Sequence, residues 1–156
     1  MFSQTTEYSM RAMACLALHP NVLTSAVTLA EQTKVPANYL AKVLQVLANA
    51  GLIEGRRGVG GGYKLSKPAD QINLLDVINV VAPVKRITVC PLGLPNHGSN
   101  LCPLHRKTDE AAKAIIDIYG SATLHDLISN PNANKPLCDT KTTQQLTMNG
   151  RGISGV

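Results

Sequence analysis

The stretch Arg56-Arg57-Gly58-Val59-Gly60-Gly61-Gly62-Tyr63 constrains the fold more than any other part of this chain. Glycine permits positive φ and lets another backbone approach closely, and a run of it is poorly tolerated inside a helix. Leu52-Ile53-Glu54 precedes the run and Tyr63-Lys64-Leu65 follows it. The segment therefore reads as strand, turn, strand, with a cationic, sterically bare tip. Two readings stand at this point: a hairpin tip whose arginines are solvated, or a loop suited to a negatively charged polymer. A dinucleotide-binding loop is excluded, because Gly58-x-Gly60 would then have to open a helix.

The segments before the hairpin read as helices. Met10, Met13, Ala14, Ala17 and Leu18 form an i, i+3, i+4 stripe over residues 3–18, and His19-Pro20-Asn21 stops it. Cys15 lies inside that helix as a buried structural thiol. Thr28-Leu29-Ala30-Glu31 has the capping-box pattern, predicting a second helix that starts at Thr28 and ends near Thr33-Lys34. Pro36 suits the first turn of a third helix, Leu40, Val43, Leu44 and Leu47 give it an apolar stripe, and Ala50-Gly51 ends it. Asn38, Tyr39, Lys42 and Gln45 fall on its other faces. Two short helices joined by a tight turn, the second with a polar face, match a helix-turn-helix, and the hairpin becomes a β-wing beside the recognition helix.

Charge supports a nucleic-acid partner. Residues 1–67 hold seven Lys/Arg against Glu7, Glu31 and Glu54, so +4 of the net +5 lies there. Aromatic residues make up only 3%, which favours small helical packing over an aromatic-rich sandwich. No apolar run approaches the roughly 20 residues that span a bilayer. The N-terminus lacks the basic-then-apolar pattern of a signal peptide. The four cysteines are irregularly spaced, which argues against a disulfide framework and for a reducing cytoplasm. No Ser-His-Asp or paired-carboxylate arrangement points to an enzyme.

Beyond the hairpin, Asn73 is expected to cap a helix carrying Leu74, Val77, Ile78 and Val81, which Pro83 ends. A Pro-, Gly- and Asn-rich loop follows, and then a helix with Leu104, Thr108, Ala111, Ile115 and Ile118 on one stripe. Burial of that stripe against a second copy of the chain makes it a dimerisation helix. A short helical turn covers residues 122–128. The expected organisation is a winged helix-turn-helix domain over 1–82, a cysteine-containing loop over 83–103, dimerisation and short C-terminal helices over 104–128, and a low-complexity tail over 129–156 that contains Cys138. The fold class is mainly α with a small β-wing.

Glu7-Tyr8-Ser9-Met10-Arg11-Ala12, Asn38-Tyr39-Leu40, Ala50-Gly51-Leu52-Ile53 and Arg57-Gly58-Val59-Gly60-Gly61-Gly62-Tyr63-Lys64-Leu65 occur in an order that resembles the Rrf-two (Rrf2) family of bacterial winged-helix regulators. The likeness covers residues 1–128. It implies a homodimeric transcription factor on a pseudo-palindromic operator in double-stranded DNA. Arg57 matches a wing arginine that enters the minor groove, where a narrow groove concentrates negative potential. Asn38, Ala41 and Lys42 match positions that present side chains to base edges in the major groove. The residues expected to face DNA are thus Thr28, Asn38, Tyr39, Ala41 and Lys42 on the helices, with Arg56, Arg57, Gly58, Gly60, Gly61 and Lys64 on the wing. Some members have a glutamate where this chain has Ala41, so their base preference does not transfer.

The resemblance also bears on the loop. Some members bind an iron–sulfur cluster there through three evenly spaced cysteines followed by a histidine. Cys90, Cys102 and His105 match that pattern, but Asn96 stands at the middle position with His97 beside it. A four-iron cluster on three loop cysteines is therefore excluded. A 2Fe-2S cluster is expected, since imidazole can replace thiolate at such an iron. Cys90, Cys102 and His105 would supply three ligands, with His97 or the partner's Glu7 as the fourth. Two alternatives stand beside it. In one, Cys90, His97, Cys102 and His105 form a zinc tetrahedron. In the other there is no metal, and a partner protein or small ligand controls the regulator. Under the first reading the signal is redox state, nitric oxide or iron–sulfur status.

Overall fold

Helix α1 (Gln4–Leu18) is the element on which the others assemble, and Ser3 caps it by accepting from the Thr6 N–H at 3.1 Å. The computed structural model of the protein describes residues 2–94, 96, 100–129 and 136. Residues 12–17 of α1 are all buried, so this turn and a half is enclosed on every side. The single apolar stripe expected here is too narrow: Ala12, Cys15 and Leu16 are buried as well, while Met10 and Leu18 are half-buried. Alanines and a cysteine let neighbours close in from all directions, as a helix apolar all round requires. The Cys15 thiol lies 2.9 Å from the Gln32 Oε1 across the interface with α2 (Ala26–Thr33).

The second helix starts earlier than the capping-box pattern predicts. Ser25 caps it, accepting from the Thr28 N–H at 3.1 Å, and Thr28 sits a turn inside. The sequence offers two hydroxyl caps three residues apart, and the upstream one satisfies the first free amides. Lys34, in the left-handed region at φ 56°, ends α2, and buried Val35 anchors the turn before α3 (Ala37–Asn49). The stripe of α3 is as expected, with Leu40, Val43, Leu44 and Leu47 each at most 2% exposed. Full burial of each leucine contributes about 1.5–3 kcal/mol. Gly51 (φ 72°) ends α3: its N–H reaches Ala48 O at 3.0 Å and the Leu52 N–H reaches Leu47 O at 3.1 Å. That pair of bonds is a Schellman motif, which needs a left-handed residue.

Strands β1 (Ile53–Arg56) and β2 (Gly62–Leu65) pair antiparallel, with Ile53 opposite Leu65 and Arg56 opposite Gly62. A lone hairpin is marginal in water. This one is held by a further rung absent from the sequence reading, in which Thr24 and Tyr63 exchange N–H···O bonds of 2.9 and 2.8 Å. After a 3-10 turn (Ala69–Gln71), the expected cap appears: Asn73 and Asp76 form a reciprocal capping box at the start of α4 (Leu74–Val81).

Residues 82–102 hold no helix or strand among the described residues. Helix α5 (Pro103–Gly120) follows and packs beside α4 with none of its own residues buried. The chain then returns to the core. The Leu74 N–H donates to Ala122 O and the Leu124 N–H to Ile72 O, both at 2.9 Å, and Leu124 in α6 (Leu124–Ser129) is 1% exposed. The structure is thus mainly helical with one small antiparallel wing. No helix among the described residues is long and apolar enough to cross a membrane. Beyond Ser129 and Pro136 the tail, including Cys138, lies outside the described residues.

Candidate nucleic-acid interface and cysteine loop

The α2–turn–α3 unit leaves one face of α3 open to solvent. Asn38, Tyr39, Ala41, Lys42 and Gln45 are all exposed, on the opposite side from the leucines that bind α3 to the core. Tyr39 is 51% exposed, yet its ring meets that of Tyr8 edge-on at 6.3 Å, so α1 helps fix the recognition face. Arg11 lies 5.9 Å from the Tyr8 ring centroid and pairs with Glu7 at 3.0 Å.

The wing stands beside α2. Its glycines act mainly through close approach. A Cβ on Gly61 would lie 2.2 Å from Arg56 O, and one on Gly62 would lie 2.6 Å from Thr24 O. Gly58 (φ 93°) and Gly60 (φ 71°) supply the positive φ of the tip, and Val59 between them is fully exposed. Arg56 and Arg57 are exposed and, like Lys42, take part in no ion pair among the described residues. Lys64 differs, being bound to Glu54 across the strands at 2.9 Å. A groove of about 280 Å³ runs between the wing and the start of α2, bordered by Ser25, Ala26, Arg56 and Arg57. The partial positive charge of a helix N-terminus adds there to the two guanidinium groups. Thr28 borders a second groove with Gly60 and Gly61. Thr24, which ties the wing to the segment before α2, carries no signal in the sequence, whereas the Ser25 cap is signalled by a serine three residues before Thr28.

The candidate metal ligands are brought together only in part. Cys102 is the N-cap of α5, Pro103 takes the first helical position, and the Cys102 Sγ lies 3.4 Å from His105 Nδ1. Cys90 is 5% exposed in a turn where the Gly93 N–H donates to Cys90 O at 3.0 Å. Glu7 is held by Arg11 on α1. Asn96 is exposed, and His97 lies outside the described residues. Among the described residues no group of three or more His, Cys, Asp or Glu is placed to hold a metal. Thiol and imidazole on one helical turn suit iron or zinc by donor chemistry, and they supply two ligands. The loop is tied to α5 further along: Arg86 Nε and Nη2 donate to the two Asp109 oxygens at 2.7 Å each, and the Ile87 N–H donates to Oδ1 at 2.8 Å. The Arg86 guanidinium, aided by that amide, holds the Asp109 carboxyl down to about 2.

Along α5 the expected stripe lies open. Leu104 is 70% and Ile118 64% exposed, Thr108 and Ala111 are exposed, and Ile115 is half-buried.

A helix-turn-helix with a polar recognition face and a basic wing defines a winged-helix DNA-binding protein. The chain belongs to the Rrf2 family, whose model, described as "Iron-dependent Transcriptional regulator", matches residues 2–130. It is 31% identical over 147 residues to the HTH-type transcriptional regulator NsrR of Shouchella clausii, covering 90% of this chain and 96% of that one. Among solved structures it resembles CymR, the global cysteine regulator of B. subtilis, with a TM-score of 0.68 and 27% identity over 83% of this chain and 96% of that one. The T. potens IscR structure shares the fold (TM-score 0.67, 22% identity, 99% and 93% coverage). These relatives are transcriptional regulators, and this chain is a regulator of the same family rather than an enzyme.

Proposed function

We propose that the protein is a homodimeric, cytoplasmic transcription factor that places α3 in the major groove and the wing in the minor groove of a pseudo-palindromic operator. The observation that carries this reading is the pair of ion-pair-free arginines on a wing tied to α2, beside an exposed face of α3. Recognition helices of such a dimer must lie about 34 Å apart to reach successive major grooves. Asn38, Tyr39, Ala41 and Lys42 would face base edges, and Arg57 the minor groove. Arg57→Ala should weaken operator binding and lower the slope of log affinity against log salt by about one, as expected for one phosphate-neutralising cation. A mobility-shift titration at several salt concentrations measures both; an unchanged slope and affinity would remove the wing arginine from the interface.

The input of this regulator, on the same reading, is the Cys90–His105 loop. Cys90, Cys102 and His105, with His97 or the partner's Glu7, would hold a 2Fe-2S cluster. The family's iron-dependent description supports iron as the metal. When bound, such a cluster supplies a centre whose charge and ligation respond to redox state or nitric oxide. The loop joins α4 to α5, so a change in its ligation would move the helix that sets the spacing of the two halves. Anaerobically purified protein should be coloured, with about two irons and two sulfides per protomer. Colourless, iron-free protein from an iron-replete preparation would end this reading and leave DNA binding intact.

A second reading has a specific observation behind it. Among the described residues no three His, Cys, Asp or Glu side chains are placed to hold a metal, and Cys102 and His105 meet as a pair. A zinc-holding or metal-free regulator, governed by a partner protein or small ligand, fits that arrangement. Zinc in the colourless protein, or no metal at all, is its signature.

A further inference from the structure

We propose that Arg86 and Asp109 form a positioning clamp that holds the Cys90 end of the loop to the α5 face carrying Cys102 and His105. The inference rests on the reading of this loop as the sensing element.

Cys102, His105 and Asp109 stand at i, i+3 and i+7, which places them along one face of α5. Arg86 lies four residues before Cys90, and four extended residues reach at most about 14 Å. Fastening Arg86 to Asp109 therefore confines Cys90 to the neighbourhood of that face. The fastening is specific. Two parallel guanidinium–carboxylate bonds of 2.7 Å fix direction as well as distance, and the Ile87 N–H adds a third at 2.8 Å that fixes the backbone. The pair lies at the surface, with Arg86 43% and Asp109 15% exposed, so its hold comes from the fork geometry.

None of this is needed to build the DNA-binding core. Arg86, Ile87 and Asp109 are absent from the buried cluster formed by α1–α4, the wing root and Leu124. The bonds span 22 and 23 residues of chain and join the two segments that flank the cysteines. Without them the segments that flank the two cysteines would lose three bonds of long chain separation, and gathering the two thiols would carry more loop-closure entropy. The clamp settles that closure in advance.

The test is thiol protection in the metal-free full-length protein. N-ethylmaleimide labelling of each cysteine is followed by mass spectrometry, with Cys15, buried in the DNA-binding core, as the internal control for folding. Asp109→Ala and Arg86→Ala should each raise Cys90 labelling at least tenfold while Cys15 stays protected. The double variant should be no worse than either single one, and Arg86→Lys, which loses the fork geometry, should fall between. If Asp109→Ala also exposes Cys15, the isosteric Asp109→Asn decides by the same criterion. Cys90 labelling at the wild-type rate with Cys15 protected overturns the clamp. A second measurement separates this inference from the cluster reading. Anaerobic reconstitution of the folded Asp109 variant should load less iron and sulfide than wild type at equal Tm. Wild-type protein that takes up no iron, alongside a variant with exposed Cys90, upholds the clamp and overturns the cluster.

Discussion

Gly62→Ala is expected to abolish most operator binding while leaving a folded helical core. The added Cβ would meet Thr24 O at 2.6 Å, Thr24 C at 2.7 Å and Ser25 N at 3.0 Å, all of them backbone atoms. None can swing aside as a side chain could, so the Thr24–Tyr63 rung must open. Overpacking of this kind costs about 1–3 kcal/mol. The rung is the only pairing described between the wing and the segment leading into α2, and its loss frees the hairpin that carries Arg56 and Arg57. Affinity should fall at least tenfold, the factor that about 1.4 kcal/mol represents. Helical circular dichroism should change little, because the core leucines are untouched. Gly60→Ala is the contrasting variant: nothing lies within 4 Å of its Cβ, and only the strain of φ 71° acts. Equal affinity of Gly62→Ala and wild type in a mobility-shift assay would show that the rung does not position the wing.

Charging the open face of α5 should have an effect as large, by a different route. Ile118→Glu combined with Ala111→Glu alters two exposed positions, so the fold of the single chain loses little. In a two-fold dimer each position occurs twice, and burying an isoleucine contributes about 1.5–3 kcal/mol per copy. Replacing that gain with buried carboxylates should dissociate the proposed dimer. A monomer contacts one half-site and forfeits the effective concentration that the second provides, a loss of about 10²–10⁴ in affinity. Sedimentation equilibrium gives the mass and a mobility shift gives the affinity. A variant that keeps the dimer mass would place the interface elsewhere. The two positions avoid the cysteine loop, so metal content should match wild type if His97 is the fourth ligand and fall if the partner's Glu7 is.

Much of this architecture was legible because it is local. The 3.6-residue period of Leu40, Val43, Leu44 and Leu47, the stop at Gly51 and the Asn73 cap each arise from residues within a turn or two of one another. The wing was visible for the same reason, since its strands flank one short glycine run. The Cys102–His105 pair follows from helical spacing once Pro103 is seen to start α5. Less was legible where two local signals competed. Ser25 and Thr28 are both sound caps, and the upstream hydroxyl prevailed. The all-round burial of α1 is not legible in its sequence, because alanine carries little periodic signal and its burial depends on how many neighbours enclose it.

Sequence by itself determined the order of elements, the basic half of the chain, the family and the residues able to ligate a metal. Those properties reside in side-chain chemistry and in hydrogen bonds closed over three to five residues. Tertiary structure alone decided that Thr24 stitches the wing to α2, that Leu124 returns α6 to the core, and that Asp109 holds Arg86 across 23 residues of chain. It also decided which donors meet, bringing Cys102 to His105, and it buried Cys90. Such pairings join distant segments whose choice of partner depends on the summed packing of the whole domain. No window of sequence contains that sum.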